Sequence, residues 1–216
     1  MLLEETHVSL PSHVAIGPDA SELGSIRKPA ITMSVWERSL CVSLAAAVRE
    51  TLASGFEEVR LTLALDEVAL AFVERLVVSG VSPVSAVKLS SDIALLGRHF
   101  ADVMGCGRLD IRLERVRRNA CRKFHADYVM ARLITTYSGR ATEWLDQSDA
   151  ARFRQGSSLD DLRVRSLREG DVALLKGKFW ADEEAIIHRS PPIAGTGEQR
   201  LLLVINPSVS PHGEPC

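Results

Sequence analysis

From residue 34 onward the apolar positions recur at helical spacing. Val35, Trp36, Leu40, Cys41, Leu44, Ala47, Val48 and Leu52 fall on one helix face. Ser34 and Glu37 form an S-x-x-E capping box at its head: the serine oxygen can accept an orphan backbone N–H while the glutamate reaches back. Gly55 is placed to end the helix. A second helix is predicted over 66–80 and a third between 85 and 104, where Ile93, Leu96, Phe100 and Val103 make one stripe. The run 62–65 is too brief for periodicity to decide, and a short strand is its alternative. After Gly105-Cys106-Gly107 the pattern changes, and Leu109, Ile111 and Leu113 alternate with Asp110, Arg112 and Glu114 as in a half-buried strand. Further strands are predicted over 128–137, 142–145, 172–175, 185–188 and 200–205, separated by Ser138-Gly139, Glu169-Gly170-Asp171, Gly177 and Pro191-Pro192.

Helices first and short strands afterwards predict an α+β fold with an all-β, barrel-like second half. The chain divides into four segments: an irregular arm over 1–32, rich in Pro and Gly; a helical subdomain over 33–105; a β domain over 106–208; and a flexible tail over 209–216.

Composition narrows the class. Of 216 residues, 46% are hydrophobic and 25% charged, values of a globular chain, and the net charge of −2 is no electrostatic match for nucleic acid or anionic lipid. The local run Arg108, Arg112, Arg115, Arg117, Arg118, Arg122, Lys123 is read as solvated strand and loop positions. Cys41, Cys106, Cys121 and Cys216 contain no C-x-x-C pair and read as reduced thiols. With no signal-peptide pattern and no long uninterrupted apolar run, a soluble cytoplasmic protein with no membrane span is expected.

Three side chains carry candidate chemistry: His125 and Asp127 in KFHADYV, and His188 in AIIHRSPP. Residues two apart at a strand end project to one side, so imidazole and carboxylate can converge on one ion. Two imidazoles and one carboxylate make the facial triad of non-haem Fe(II) oxygenases, which leaves coordination positions open. Arg200 heads the last apolar strand, RLLLVIN, and a guanidinium pairs a carboxylate bidentately, as an anchor for 2-oxoglutarate must. Arg132 and Arg189 compete with it for that role. Cys121, Tyr137 and Trp144 are further candidates for the pocket. Cys121 as a fourth ligand would favour zinc, and the tail pair His212 and Cys216 offers metal-binding side chains too. The plainer alternative is that His125, Asp127 and His188 form a hydrogen-bonded polar cluster at a strand edge, with Arg200 a surface cation. No G-x-S-x-G, P-loop or G-x-G-x-x-G is present.

The segments CRKFHADYV, TTYSGRATEWL, GDVALLKG and IIHRSPP resemble an uncharacterised bacterial family, domain of unknown function 1826. Its members are often encoded near zinc-homeostasis genes, so the resemblance implies a connection with zinc. Through His125, Asp127, His188 and Arg200, with REGDVALLKG and HRSPPIAGTGEQRLLLVINP around them, the chain is more distantly similar to Fe(II)/2-oxoglutarate-dependent oxygenases. That similarity implies helices packed on a C-terminal double-stranded β-helix of jelly-roll or cupin type. It also implies iron at the triad, 2-oxoglutarate on Arg200, and hydroxylation of a small-molecule or protein substrate. A non-catalytic zinc-binding accessory protein is the alternative, and a cupin-like lyase or isomerase a third.

Overall fold

The computed structural model describes residues 11–208; the tail 209–216, with His212 and Cys216, and the first ten residues of the arm lie outside them. The chain runs β1 (Val14–Gly17), β2 (Met33–Trp36), α1 (Val42–Ala53), β3 (Glu58–Ala64), α2 (Val68–Val78), α3 (Pro83–Met104), β4 (Arg108–Val116) and β5 (Ala131–Ser138). It continues through β6 (Glu143–Leu145), α4 (Gln147–Arg154), β7 (Val164–Ser166), β8 (Val172–Lys176), α5 (Lys178–Ala181), β9 (His188–Arg189) and β10 (Arg200–Pro207). Seven strands form one sheet in the order β1-β2-β8-β5-β10-β4-β3, and β7-β6-β9 form a second. The β1–β2 pair is parallel and the other pairs are antiparallel.

Alternation divides the large sheet into two faces. Leu109, Ile111, Leu113, Leu133, Leu203 and Ile205 pack with Leu52, Phe72, Leu96 and Phe100 of the helices in one cluster. On the opposite face Met33, Val35, Ile134, Leu175, Leu202 and Val204 meet Trp144 of the small sheet and Ile186 from the segment leading into it. The space between the sheets is therefore lined by β2, β8, β5 and β10, and the candidate site lies there. Because α1 and α3 share a cluster with β4, β5 and β10, and because β2 and β3 join the large sheet, residues 33–105 and 106–208 share one core. The expected boundary at 105/106 separates a helix from a strand. No helix among the described residues is long and apolar enough to cross a membrane.

α3 begins where Ser82 accepts from the Ser85 amide, has Pro83 at its first position, and ends at Gly105 with φ +69°. The ambiguous run 62–65 is mostly strand, as the end of β3. The irregular arm is corrected: Val14–Gly17 is a strand and Ala20–Arg27 a 3₁₀ helix. The capping box at Ser34 is corrected as well. Ser34 sits in β2, its hydroxyl donating to the Leu23 carbonyl at 3.0 Å, and α1 starts only after Cys41. Over so short a stretch Val35 fits the helical stripe and also alternates with Met33 as in a strand, and pairing of both with Ala173 and Leu175 of β8 decided between them. α4 had no apolar stripe to announce it. Its N-cap Asp146 accepts from the Asp149 amide at 3.0 Å.

Candidate metal centre

His125 and Asp127 lie on the irregular connection between β4 and β5, so their placement rests on backbone pairing with later segments of the chain. His125 N donates to His188 O at 3.0 Å and His188 N donates back at 2.9 Å, which locks the two histidines side by side. Ser190 N donates to the Cys121 carbonyl, and Asn119 Oδ1 accepts from the Ile193 and Ala194 amides. From the other side Lys178 N donates to Asp127 O at 2.8 Å and Gly177 N to Met130 O at 2.9 Å. The chains approach so closely that a Cβ on Gly177 would collide with Val129 O and stand 2.9 Å from Asp127 O.

These constraints bring one ligand atom each from His125, Asp127 and His188 within 4.8 Å of one another. His125 Nε2 is 3.4 Å from Asp127 Oδ1, and His188 Nε2 is 3.3 Å from Asp127 Oδ2. Each ring turns its other nitrogen to a main-chain carbonyl: His125 Nδ1 to Lys123 O at 2.9 Å, His188 Nδ1 to Ile186 O at 3.4 Å. A carbonyl only accepts, so Nδ1 carries the proton and each Nε2 faces the carboxylate, the orientation that outer hydrogen bonds impose on metal-ligating histidine. Burial alone would raise the Asp127 pKa. The close approach of the His125 and His188 rings, with the charges of His188 and Arg132, outweighs it and holds this carboxyl well below the usual range. The hydrogen bond to Asp127 raises His125 against the opposing effect of burial.

Arg132, on the interior face of β5, places Nη1 2.7 Å from Asp127 Oδ2, while its Nε donates to Asn206 Oδ1 of β10 at 3.0 Å. The ion pair is short but poorly directed: Asp127 Oδ2 is buried and accepts no well-aimed hydrogen bond among the described residues. A carboxylate flanked by two imidazole nitrogens, one on each oxygen, with a spare lone pair on the buried Oδ2, fits a divalent cation. The donor set suits iron or zinc.

Arg200 is almost wholly buried, at 1% exposure. Nη1 donates to Ser190 Oγ and Nη2 to Thr136 Oγ1, both at 3.2 Å, and Nε has no partner among the described residues. Burial pushes its pKa down to about 10, against weaker opposition from Glu114 and Glu143. Arg132 and Thr136 are four apart on β5, hence on one face and roughly 13 Å apart along the strand. The pairs Arg132–Asn206 and Thr136–Arg200 thus mark two positions along the same interior surface.

The other sequence candidates separate. Trp144 lies on the interior side, opposite His188 in the β6–β9 pair. Tyr137 does not belong to the site: it faces the helices, where its hydroxyl donates to Asp92 Oδ2 at 2.7 Å. Arg189 is taken up by Glu143 at 2.7 Å and stacks over Phe124. Cys121 is exposed and outside the ligand cluster, and among the described residues its carbonyl accepts from Ser190 N. Sequence reasoning missed Asn206 and Ser190, whose partners are far along the chain. Their only signal was position: Asn206 is six after Arg200 on one strand, and Ser190 two after His188.

No curated protein sequence matches the chain. Among solved structures, the dioxygenase for auxin oxidation in rice matches with a TM-score of 0.53 and 13% identity, over 92% of this chain and 82% of that one. The 2-oxoglutarate binary complex of dioxygenase for auxin oxidation 1 from Arabidopsis thaliana matches with 0.50 and 12%, over 92% of both chains. A putative oxygenase from Shewanella oneidensis matches with 0.51 and 8%, over 89% and 88%. At such identities the likeness concerns the fold, which is of the jelly-roll kind. Residues 17–206 match the profile described as protein of unknown function (DUF1826), and the chain belongs to that family.

Proposed function

We propose that the protein is an Fe(II)- and 2-oxoglutarate-dependent oxygenase that hydroxylates a small-molecule or protein substrate. The observation that carries this reading is Arg200: a buried guanidinium with no carboxylate at ion-pairing distance among the described residues, on the same interior face as the His125–Asp127–His188 cluster. A buried cation without a counter-charge is costly, and a short dicarboxylate spanning from the cluster to Arg200 supplies one. Iron and the keto acid, when bound, supply the oxidising chemistry.

The chain's own residues do the rest. His125 and His188, with Nδ1 protons fixed on Lys123 O and Ile186 O, present Nε2 to the metal. Asp127 would contribute the spare lone pair of Oδ2, with Arg132 balancing part of its charge. Arg200, positioned by Thr136 and Ser190, receives the distal carboxylate through Nε and Nη. Met33, Ile134, Leu175, Leu202 and Val204 keep the interior apolar and exclude water from the path between them.

The test is an anaerobic titration of metal-free protein with Fe(II), then 2-oxoglutarate, monitoring the visible charge-transfer band of the chelate. A saturable band, lost in His188→Ala and weakened in Arg200→Gln with iron still bound, is expected. No band, together with tight zinc binding that excludes iron, overturns the oxygenase reading and leaves the zinc-accessory alternative.

A further inference from the structure

A cavity of about 180 Å³ opens between α4, the segment 183–187 and the heads of β1 and β2. Leu145, Ala150, Ile186 and Ile187 give it apolar walls. Gln147, Ala151 and Arg154 on the exposed side of α4 form the mouth, facing Glu183 and Glu184. Neither the candidate metal ligands nor Arg200 line it.

Two side chains in this lining each keep an unpaired polar atom, although the His13 ring packs edge-on against Trp144. His13 and Thr32 are 5% and 2% exposed, and they are neighbours, the Thr32 amide donating to the His13 carbonyl at 2.9 Å. Neither His13 Nε2 nor Thr32 Oγ1 has a hydrogen-bond partner among the described residues. Leaving a buried donor or acceptor unpaired costs as much as a broken hydrogen bond. Two such atoms from adjacent residues, on a cavity with apolar walls, are therefore half of a polar contact whose other half is missing.

The chemistry of that half can be read from the lining. Burial favours neutral imidazole at His13, so the site offers one imidazole nitrogen and one hydroxyl, with no net charge inside. At the mouth Arg154 Nε and Glu183 Oε2 stand 3.9 Å apart, so the rim carries charges of both signs. An apolar cavity of about 150 Å³ accommodates benzene, and this one is large enough for a six-membered ring with one polar substituent. A hydroxyl both donates and accepts, which suits the two adjacent groups together. We infer that the cavity is a binding site for a small neutral ring compound bearing a hydroxyl group, of the size of phenol, with that hydroxyl held between His13 Nε2 and Thr32 Oγ1.

The experiment is a fluorine NMR titration of the full chain with para-fluorophenol, using fluorobenzene as the same ring without the hydroxyl. Saturable binding of the phenol is expected, roughly tenfold weaker for fluorobenzene and for Thr32→Val, which keeps the shape and removes the hydroxyl. Ala150→Phe fills the cavity and abolishes binding. If that variant does not fold, Ala151→Trp closes the mouth from an exposed position with the same expected loss. His188→Ala, which dismantles the candidate metal cluster, leaves phenol binding unchanged. The inference is overturned by absence of saturable binding (the cavity then holds ordered water only), by equal affinity for fluorobenzene, by an unaffected Thr32→Val, or by loss of binding in His188→Ala.

Discussion

Arg132 shares Asp127 with whatever cation the cluster holds, and this sets opposing effects against each other. As an outer partner it orients the carboxylate, and losing such a partner typically weakens metal binding about 10–100-fold, or roughly 1.4–2.8 kcal/mol. As a cation about 5 Å from a dication it repels by several kcal/mol at an effective dielectric of about 20. Repulsion outweighs orientation, even though Arg132 is partly exposed. Arg132→Met is therefore expected to bind Co(II) at least about tenfold more tightly in calorimetric titration, whereas Arg132→Lys stays near the parent. His13 invites a separate test. Its burial lowers its pKa, against the pull of Asp146. Below the ordinary value of about 6.5 the unfolded chain takes up a proton that the folded one refuses. Its contribution to stability is thus intact above that pH and declines as the pH falls toward the lowered folded value. Denaturant unfolding at pH 7.5 and 5 will show a smaller loss in His13→Gln than in the parent chain; an equal loss would refute this assignment.

At the scale of elements, the junction of β8 and α5 supports the site most directly. Gly177 is packed against the backbone of the segment that carries Asp127, with Gly177 N bonded to Met130 O and Lys178 N to Asp127 O. Its φ of −90° is open to any residue, so the requirement is one of space. Gly177→Ala forces the 127–130 backbone outward and is expected to cost about 1–3 kcal/mol, the usual range for overpacking. Because Asp127 moves with that backbone, metal affinity falls in the same variant. Gly107→Ala, at an exposed position with no neighbour within 4 Å of an added Cβ, leaves metal affinity unchanged and serves as the control. The small sheet is the other supporting element. His188 is held by Trp144 of β6 on one side and by the His125 backbone on the other, so β9 needs only two residues.

For the whole molecule, the site joins segments distant in sequence: the β4–β5 connection, β5, β9 and β10. A cation bound there favours the folded chain by mass action, by about 2.7 kcal/mol at a hundred times Kd. Added Zn(II) or Mn(II) is accordingly expected to raise the melting temperature of the protein and leave Asp127→Asn unmoved, as read by scanning calorimetry. Much of this arrangement was legible in the chain. Helical spacing in Leu96 and Phe100 and alternation in Leu109, Ile111 and Leu113 follow from burying one face of a regular element, so α3 and β4 could be predicted without the fold. His125, Asp127, His188 and Arg200 were legible because few side chains can hold a metal or a carboxylate, and their spacing suits strand ends. What the sequence could not determine was each partner supplied from afar. Val35 fit helix or strand until β8 paired with β2, and part of the arm became a strand by pairing with β2. Tyr137 left the site because alternation along β5 turns it with Leu133 toward the helices, and Arg189 because the carboxylate of Glu143 takes it up. Local pattern determined which residues are buried and which are chemically able; tertiary pairing alone decided which of them meet, because contacts between distant segments leave no periodic trace in the chain.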